Sequence, residues 1–171
     1  AETVLAAAAK AGKPVVVNFL GADPATIKGR NLHAAATIED AAHAAVALLK
    51  GRKPRAVSRT PAARRVAFKP TQRYVRGLYS GGTFGYEATL LLGAKLGAIR
   101  SNVAVRETDE DDDPWTSRGH TVVDLGDDVF TRGRPHPMID HRLRNERLAK
   151  EAADPETAVI LLDVVLGHGA H

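Results

Sequence analysis

The chain predicts an α/β protein built on parallel sheets, and three observations carry that reading. From Val75 onward, strand-type and helix-type patterns alternate in the order β-α-β-α-β, the arrangement of a parallel sheet with right-handed crossovers. Ala158 to Leu166 is an apolar, β-branched run broken only by Asp163, the strongest strand signal in the sequence. Pro14 to Leu20 is a second apolar run, of the kind that forms a strand buried on both faces.

Taken in order, Thr3 to Lys10 is Ala-rich and favours helix, with Gly12 placed as a C-terminal cap. The strand at Pro14–Leu20 ends in the turn Gly21-Ala-Asp-Pro24. Thr37 has the character of a helix N-cap, with Asp40 three residues on, and Ile38 to Lys50 continues as an Ala-rich helix that Gly51 stops. Residues 52–73 are rich in Lys, Arg and Pro without periodicity and read as a linker. Val75 to Tyr79 is a short strand, Ser80-Gly-Gly-Thr83 a Gly-rich turn, and Phe84 to Gly97 a helix. Ile99 to Val105 reads as extended and Glu107 to Pro114 as an acidic loop, after which Thr121 to Leu125 is the next strand. His141 to Ala153 is an amphipathic helix with Leu143, Leu148 and Ala152 on one face. The strand at Ala158–Leu166 leads into Gly167-His-Gly-Ala-His171.

Bulk properties narrow the function classes. The 171 residues carry a formal charge of +4 and are 44% hydrophobic, enough for a globular core of Ala, Val and Leu. Cys is absent, which removes disulfides, thiolate metal ligands and a Cys nucleophile. No apolar run reaches the roughly 18 residues of a membrane span, and the start lacks the pattern of a signal peptide; a cytoplasmic protein is expected. The basic interval has few aromatics and no nucleic-acid-binding motif, so it reads as a solvated linker and not as a nucleic-acid surface. Each half holds too few strands for a finished sheet, so further domains or a partner are expected to complete it.

Four segments carry a family resemblance: Arg76-Gly-Leu-Tyr-Ser-Gly-Gly-Thr83, Asp124-Leu-Gly-Asp-Asp128, Gly133-Arg-Pro-His-Pro-Met-Ile-Asp140 and Ile160-Leu-Leu-Asp-Val-Val-Leu-Gly-His-Gly-Ala-His171. In this order they resemble the FdrA family, acyl-CoA synthetase-like relatives of the succinyl-CoA synthetases. The resemblance implies flavodoxin-like parallel sheets. Residues 1–51 would be the latter part of a first flavodoxin-like domain, 52–73 a basic linker, and 74–171 the front part of a second, CoA-ligase domain. It implies CoA and nucleotide as cofactors of the intact protein, with the CoA-binding domain outside this sequence. It also implies an acyl or carbamoyl phosphate as small-molecule partner. Acyl-CoA synthesis, oxamate carbamoyl transfer in purine (allantoin) breakdown, and a non-catalytic assembly role all remain open.

The site candidates follow from the loops at strand ends, where α/β proteins place ligands. The backbone N–H groups of Ser80, Gly81, Gly82 and Thr83, at a helix start, suit a phosphate or other anion, although a structural turn explains them equally well. The resemblance puts this helix start against the transferred phosphate. Asp127 and Asp128 are adjacent carboxylates that either hold Mg²⁺ with phosphate oxygens or polarise a turn. Arg134 offers a fork for an anion and His136 an acid or base, both in a loop stiffened by Pro135 and Pro137. Arg134 pairing with Asp127 or Asp140 is the structural alternative. His33 is the nearest counterpart of the family's phosphohistidine, but the glycines that flank that histidine are replaced here by Leu32 and Ala35. His168, His171 and Asp163 form at most an incomplete metal set, so no firm metal site is read.

Overall fold

A computed structural model describes residues 2–55, 66–106, 109–166 and 168–169. The chain divides into two compact units, Ala1–Arg65 and Val66–His171. Residues 56–65 of the expected linker lie outside the described residues.

The first unit contains α1 (Glu2–Ala9), β1 (Val15–Val17), β2 (Leu32–Ala34) and α2 (Ile38–Leu49). The strand expected over Pro14–Leu20 is confined to three residues. Its partner is β2, paired in parallel with Val16 opposite His33, a strand that no alternation of residue types announces. Asn31, at φ 64°, turns the chain into β2. Beyond the ladder, Asn18 Nδ2 donates to the Ala35 carbonyl at 2.9 Å and keeps the two segments together. Thr37 caps α2 as expected, its hydroxyl accepting from Asp40 N at 3.0 Å. Thr37→Ala is expected to cost about 1 kcal/mol of the first unit's stability. Urea denaturation followed by helical circular dichroism checks this, and an unchanged midpoint would deny the cap its role.

The second unit contains β3 (Tyr74–Tyr79), α3 (Gly82–Leu96), β4 (Arg100–Ser101), β5 (Thr121–Asp124), α4 (Asp128–Thr131), α5 (Arg142–Ala153) and β6 (Thr157–Leu162). Its sheet has the order β4-β5-β3-β6 with every pair parallel, which is the predicted α/β class. Every residue of β5 is buried, the polar Thr121 and Asp124 included. Leu78, Val123, Leu125 and Phe130 form the core, with Leu143, Leu148 and Ile160 packed against it. Each of the fully buried aliphatic side chains contributes roughly 1.5–3 kcal/mol.

Some boundaries differ from expectation for physical reasons. The Ile99–Val105 segment is a strand only at Arg100–Ser101. The expected acidic loop is partly inside the fold: Asp109 and Asp111 are buried, and Asp111 N donates to the Ser101 carbonyl at 3.1 Å. β6 ends at Leu162, because Asp163 turns its carboxylate to other work.

The apolar face expected on α5 is only half correct. Leu143 and Leu148 do meet the core, but Ala152 is exposed. Arg144, Arg147 and Glu151 are buried in its place. Glu151 accepts from Arg76 Nε at 3.1 Å, Arg147 Nε at 2.6 Å and Ser117 Oγ at 2.6 Å. Arg147 also donates to the Pro114 carbonyl at 2.6 Å, and Arg76 reaches Asp154 at 2.8 Å. That Arg76 bond holds the Asp154 carboxyl below its ordinary value. Charged residues can share a buried face because each brings its own partner.

Candidate functional site at the carboxyl end of the sheet

Parallel strands bring their carboxyl ends to one edge, and the ends of β3, β5 and β6 converge around Ser80. Ser80 is fully buried; its N–H donates to Asp163 Oδ1 at 2.9 Å, and its hydroxyl accepts from Arg144 Nη1 at 2.9 Å. Arg144 Nη1 lies 3.2 Å from Asp163 Oδ1 and also donates to the Asp163 carbonyl. Ser80 is therefore already committed, and the donors that stay open belong to the next residues. Gly81 caps α3 without a side-chain bond. The first N–H groups of a helix have no intrahelical acceptor, so those of Gly82 and Thr83 face outward with the positive end of the helix.

Neighbouring atoms come close to the glycines of this edge. A Cβ on Gly82 would stand 3.1 Å from Asp124 Oδ2, and one on Gly81 would stand 3.1 Å from Met138 Cε. At Gly126 three polar atoms converge on the missing Cβ: His136 Nε2 at 2.7 Å, Asp124 Oδ1 at 3.0 Å and the Ser80 carbonyl at 3.0 Å. His136 is thus delivered to the same strand end as the start of α3. Its Nδ1 accepts from Met138 N at 3.3 Å. A backbone N–H can only donate, so the neutral ring carries its proton on Nε2.

Asp124, the last residue of β5, was not among the expected site residues. Asn102 fixes its backbone on both sides, accepting from Asp124 N and donating to Asp124 O, each at 2.9 Å. Burial pushes the Asp124 carboxyl up from its ordinary 3.8; the Gly126 N–H bond opposes this, Asp127 and Asp163 add to it, and His136 counters it. The neutral form is the one the fold favours. That stability is fully present below the unfolded value near 3.8 and is lost as pH rises through the folded value. Asp124→Asn is therefore expected to be more stable than the wild type at neutral pH and to lose that advantage below pH 3.8. Urea midpoints measured across pH check the sign; an Asn variant less stable at every pH would contradict it.

The remaining candidates are placed differently. Asp127 is a helix cap, accepting from Val129 N at 2.9 Å, and Asp128 opens α4. Among the described residues no group of three or more His, Asp or Glu side chains is arranged to hold a metal. The Asp127 bond to Val129 N is the contact of the polar-turn reading. Arg134 stacks over Trp115 at 5.6 Å and lines a separate surface cavity of about 320 Å³ with Asp140, Arg142 and Glu146. It pairs with neither Asp127 nor Asp140. Asp140 instead takes Arg142, whose side-chain hydrogen bonds pull its carboxyl down to about 2. His33 sits in the middle of β2, half-buried, within the first unit. Of the His168–His171 loop, Gly167, Ala170 and His171 lie outside the described residues.

Two residues of this edge, Asp124 and Arg144, were not among the expected site residues, and Asp163 was read only as part of an incomplete metal set. Asp163 had a signal, as the one charge in the β6 apolar run. Arg144 had one too, since it lies three residues before Arg147 and seven before Glu151 on one helical face. Asp124 had none, because its role depends on burial.

Comparison with known proteins agrees with this architecture. The family model for the CoA-ligase domain matches residues 78–171, more than half of the chain and most of the second unit. The uncharacterized protein YahF of Escherichia coli (strain K12) is 40% identical over 177 residues. That match takes in all of this chain and 34% of YahF, so the chain spans about a third of the relative's length.

Proposed function

This chain belongs to the CoA-ligase family, and on that premise we propose that its second unit binds an acyl phosphate, with the phosphate group at the start of α3. We assign it more narrowly to the FdrA type, as an acyl-CoA synthetase-like protein, on the four segments around Ser80, Asp127, His136 and Asp163. CoA and a nucleotide would be met by other parts of a longer protein.

The uncapped glycine start of α3, with His136 beside it, is the observation that carries this reading. Open N–H donors and the helix dipole favour an anion. The two neighbouring acids do not oppose it at full strength. Asp163 pairs with Arg144 and accepts from the Ser80 N–H, and Asp124 is pushed towards its neutral form. Gly81, Gly82 and Thr83 would hold phosphate oxygens, and the His136 Nε2–H would donate to the oxygen that bridges acyl group and phosphate. A proton held there favours departure of the phosphate. Mg²⁺, which needs only one or two carboxylates beside phosphate oxygens, would enter with the phosphate.

The test is a calorimetric titration with acetyl phosphate, carbamoyl phosphate, inorganic phosphate, CoA and ADP. Saturable binding of acetyl phosphate, weakened in His136→Ala, is expected. Carbamoyl phosphate binding markedly tighter than acetyl phosphate would move the substrate from acyl to carbamoyl transfer. A folded wild type that binds none of the phosphates would refute the anion site.

A further inference from the structure

One nitrogen in this region has two neighbours that it cannot both satisfy. His141 Nδ1 lies 2.8 Å from Arg144 Nη2 and 3.0 Å from the Pro137 carbonyl oxygen. A guanidinium only donates and a carbonyl only accepts. If Nδ1 carries a proton, it bonds Pro137 and sets an N–H against Arg144. If Nδ1 presents its lone pair, it accepts from Arg144 and leaves Pro137 unbonded.

Magnitudes decide between the two. Arg144 is 5% exposed, so a guanidinium N–H without an acceptor there is a buried charged donor left unmade. Hydrogen bonds to charged groups are stronger than neutral ones, and leaving one unmade costs more than a missing bond at a neutral carbonyl. The shorter of the two contacts is also the one to Arg144.

We propose that His141 is a positioning residue: neutral, protonated on Nε2, with its Nδ1 lone pair fixing the Arg144 guanidinium. Arg144 in turn ties the Ser80 hydroxyl to Asp163, and so holds the ends of β3 and β6 in the spacing that leaves the start of α3 open. The effect on ligand binding rests on the acyl phosphate reading above; the tautomer does not. His141, Arg144, Asn145, Leu148, Leu162 and Val164 also line one cavity of about 400 Å³, so the free ring edge borders space and not packed core.

The experiment has two arms. Long-range ¹⁵N–¹H correlation spectra of the wild type at neutral pH read the tautomer directly. An unprotonated Nδ1 is expected; an Nδ1–H bonded to Pro137 would overturn the proposal. The second arm compares His141→Asn, whose amide oxygen can take the place of Nδ1, with His141→Gln and His141→Ala, which remove that acceptor. The Asn variant is expected to keep the restricted Arg144 guanidinium resonances and wild-type acetyl phosphate binding. The Gln and Ala variants should lose those resonances and bind roughly three- to tenfold more weakly. Equal Arg144 signals in all variants would overturn the positioning role. Absence of acetyl phosphate binding in a wild type with the expected tautomer would instead refute the anion site and leave the positioning intact.

Discussion

Glu151→Ala is expected to destabilise the second unit by about 3–5 kcal/mol, the largest effect of any single replacement considered. Glu151 is the acceptor at which Arg76, Arg147 and Ser117 meet. Its side chain is 3% exposed, and those of Arg76 and Arg147 are 1% and 5% exposed. Removing it leaves the buried Arg147 without a carboxylate and leaves Arg76 with Asp154 as its remaining acidic partner. Arg76 is in a poor position to adjust, since its Nη1 is already buried without a partner among the described residues. The loss is a penalty for orphaned charge and not the net worth of the ion pairs. Replacing Arg76, Arg147 and Glu151 together by apolar residues of similar volume should therefore recover much of it. The chain's one tryptophan, Trp115, packs against Phe130 with ring centroids 4.6 Å apart. Its fluorescence in urea therefore reports on this unit specifically. A loss below about 1 kcal/mol would mean that the network is solvated and incidental.

Gly126→Ala should disable the candidate site. The added methyl would stand 2.7 Å from His136 Nε2, closer than real Cβ contacts allow, and 3.0 Å from the Ser80 carbonyl and Asp124 Oδ1. The imidazole can rotate away. The Ser80 carbonyl cannot, because Leu78, Tyr79 and Ser80 are held by the β3–β5 ladder, the bond from Leu125 N to the Tyr79 carbonyl, and the Ser80–Asp163 bond. The methyl group thus displaces His136 from the start of α3 at an overpacking cost of about 1–3 kcal/mol. Acetyl phosphate binding is expected to fall by tenfold or more, on the order of 1.4 kcal/mol. The His136 resonances should move while those of α2 in the first unit stay in place. Wild-type binding in the folded variant would show that His136 does not serve the site.

Local residue types announced much of the second unit. The short strand at Val75–Tyr79 and the strand at Thr121–Leu125 became the two central strands, where a parallel sheet buries residues on both faces. Thr37 and Gly82 could be placed because caps and close approaches are properties of a few adjacent residues. Other features were hidden. β2 holds only Leu32, His33 and Ala34, too short for a period, and it exists through its pairing with β1. The Asp127-Asp128 pair allowed either a cation or a polar turn, and Asp127 makes the turn contact, accepting from the N–H of Val129. Arg134 was read as an anion fork from its loop, whereas its stacking on Trp115 and its place beside a separate cavity come from tertiary contacts. The carboxyl-end site was legible as a place and only partly as a set of residues. The backbone N–H groups and His136 came from motif and loop chemistry. Asp124 acts through burial, which no spacing encodes, and Arg144 and Asp163 act through a mutual contact that their local signals did not reveal.

Titrating ¹⁵N-labelled protein with acetyl phosphate and following every backbone amide tests the account most directly. Saturable shifts are predicted at Gly81, Gly82 and Thr83, with His136 moving in step and all of them weakened in Gly126→Ala. Shifts confined to Arg134, Arg142 and Trp115, or no saturable shift in the folded wild type, would contradict an anion site at the start of α3.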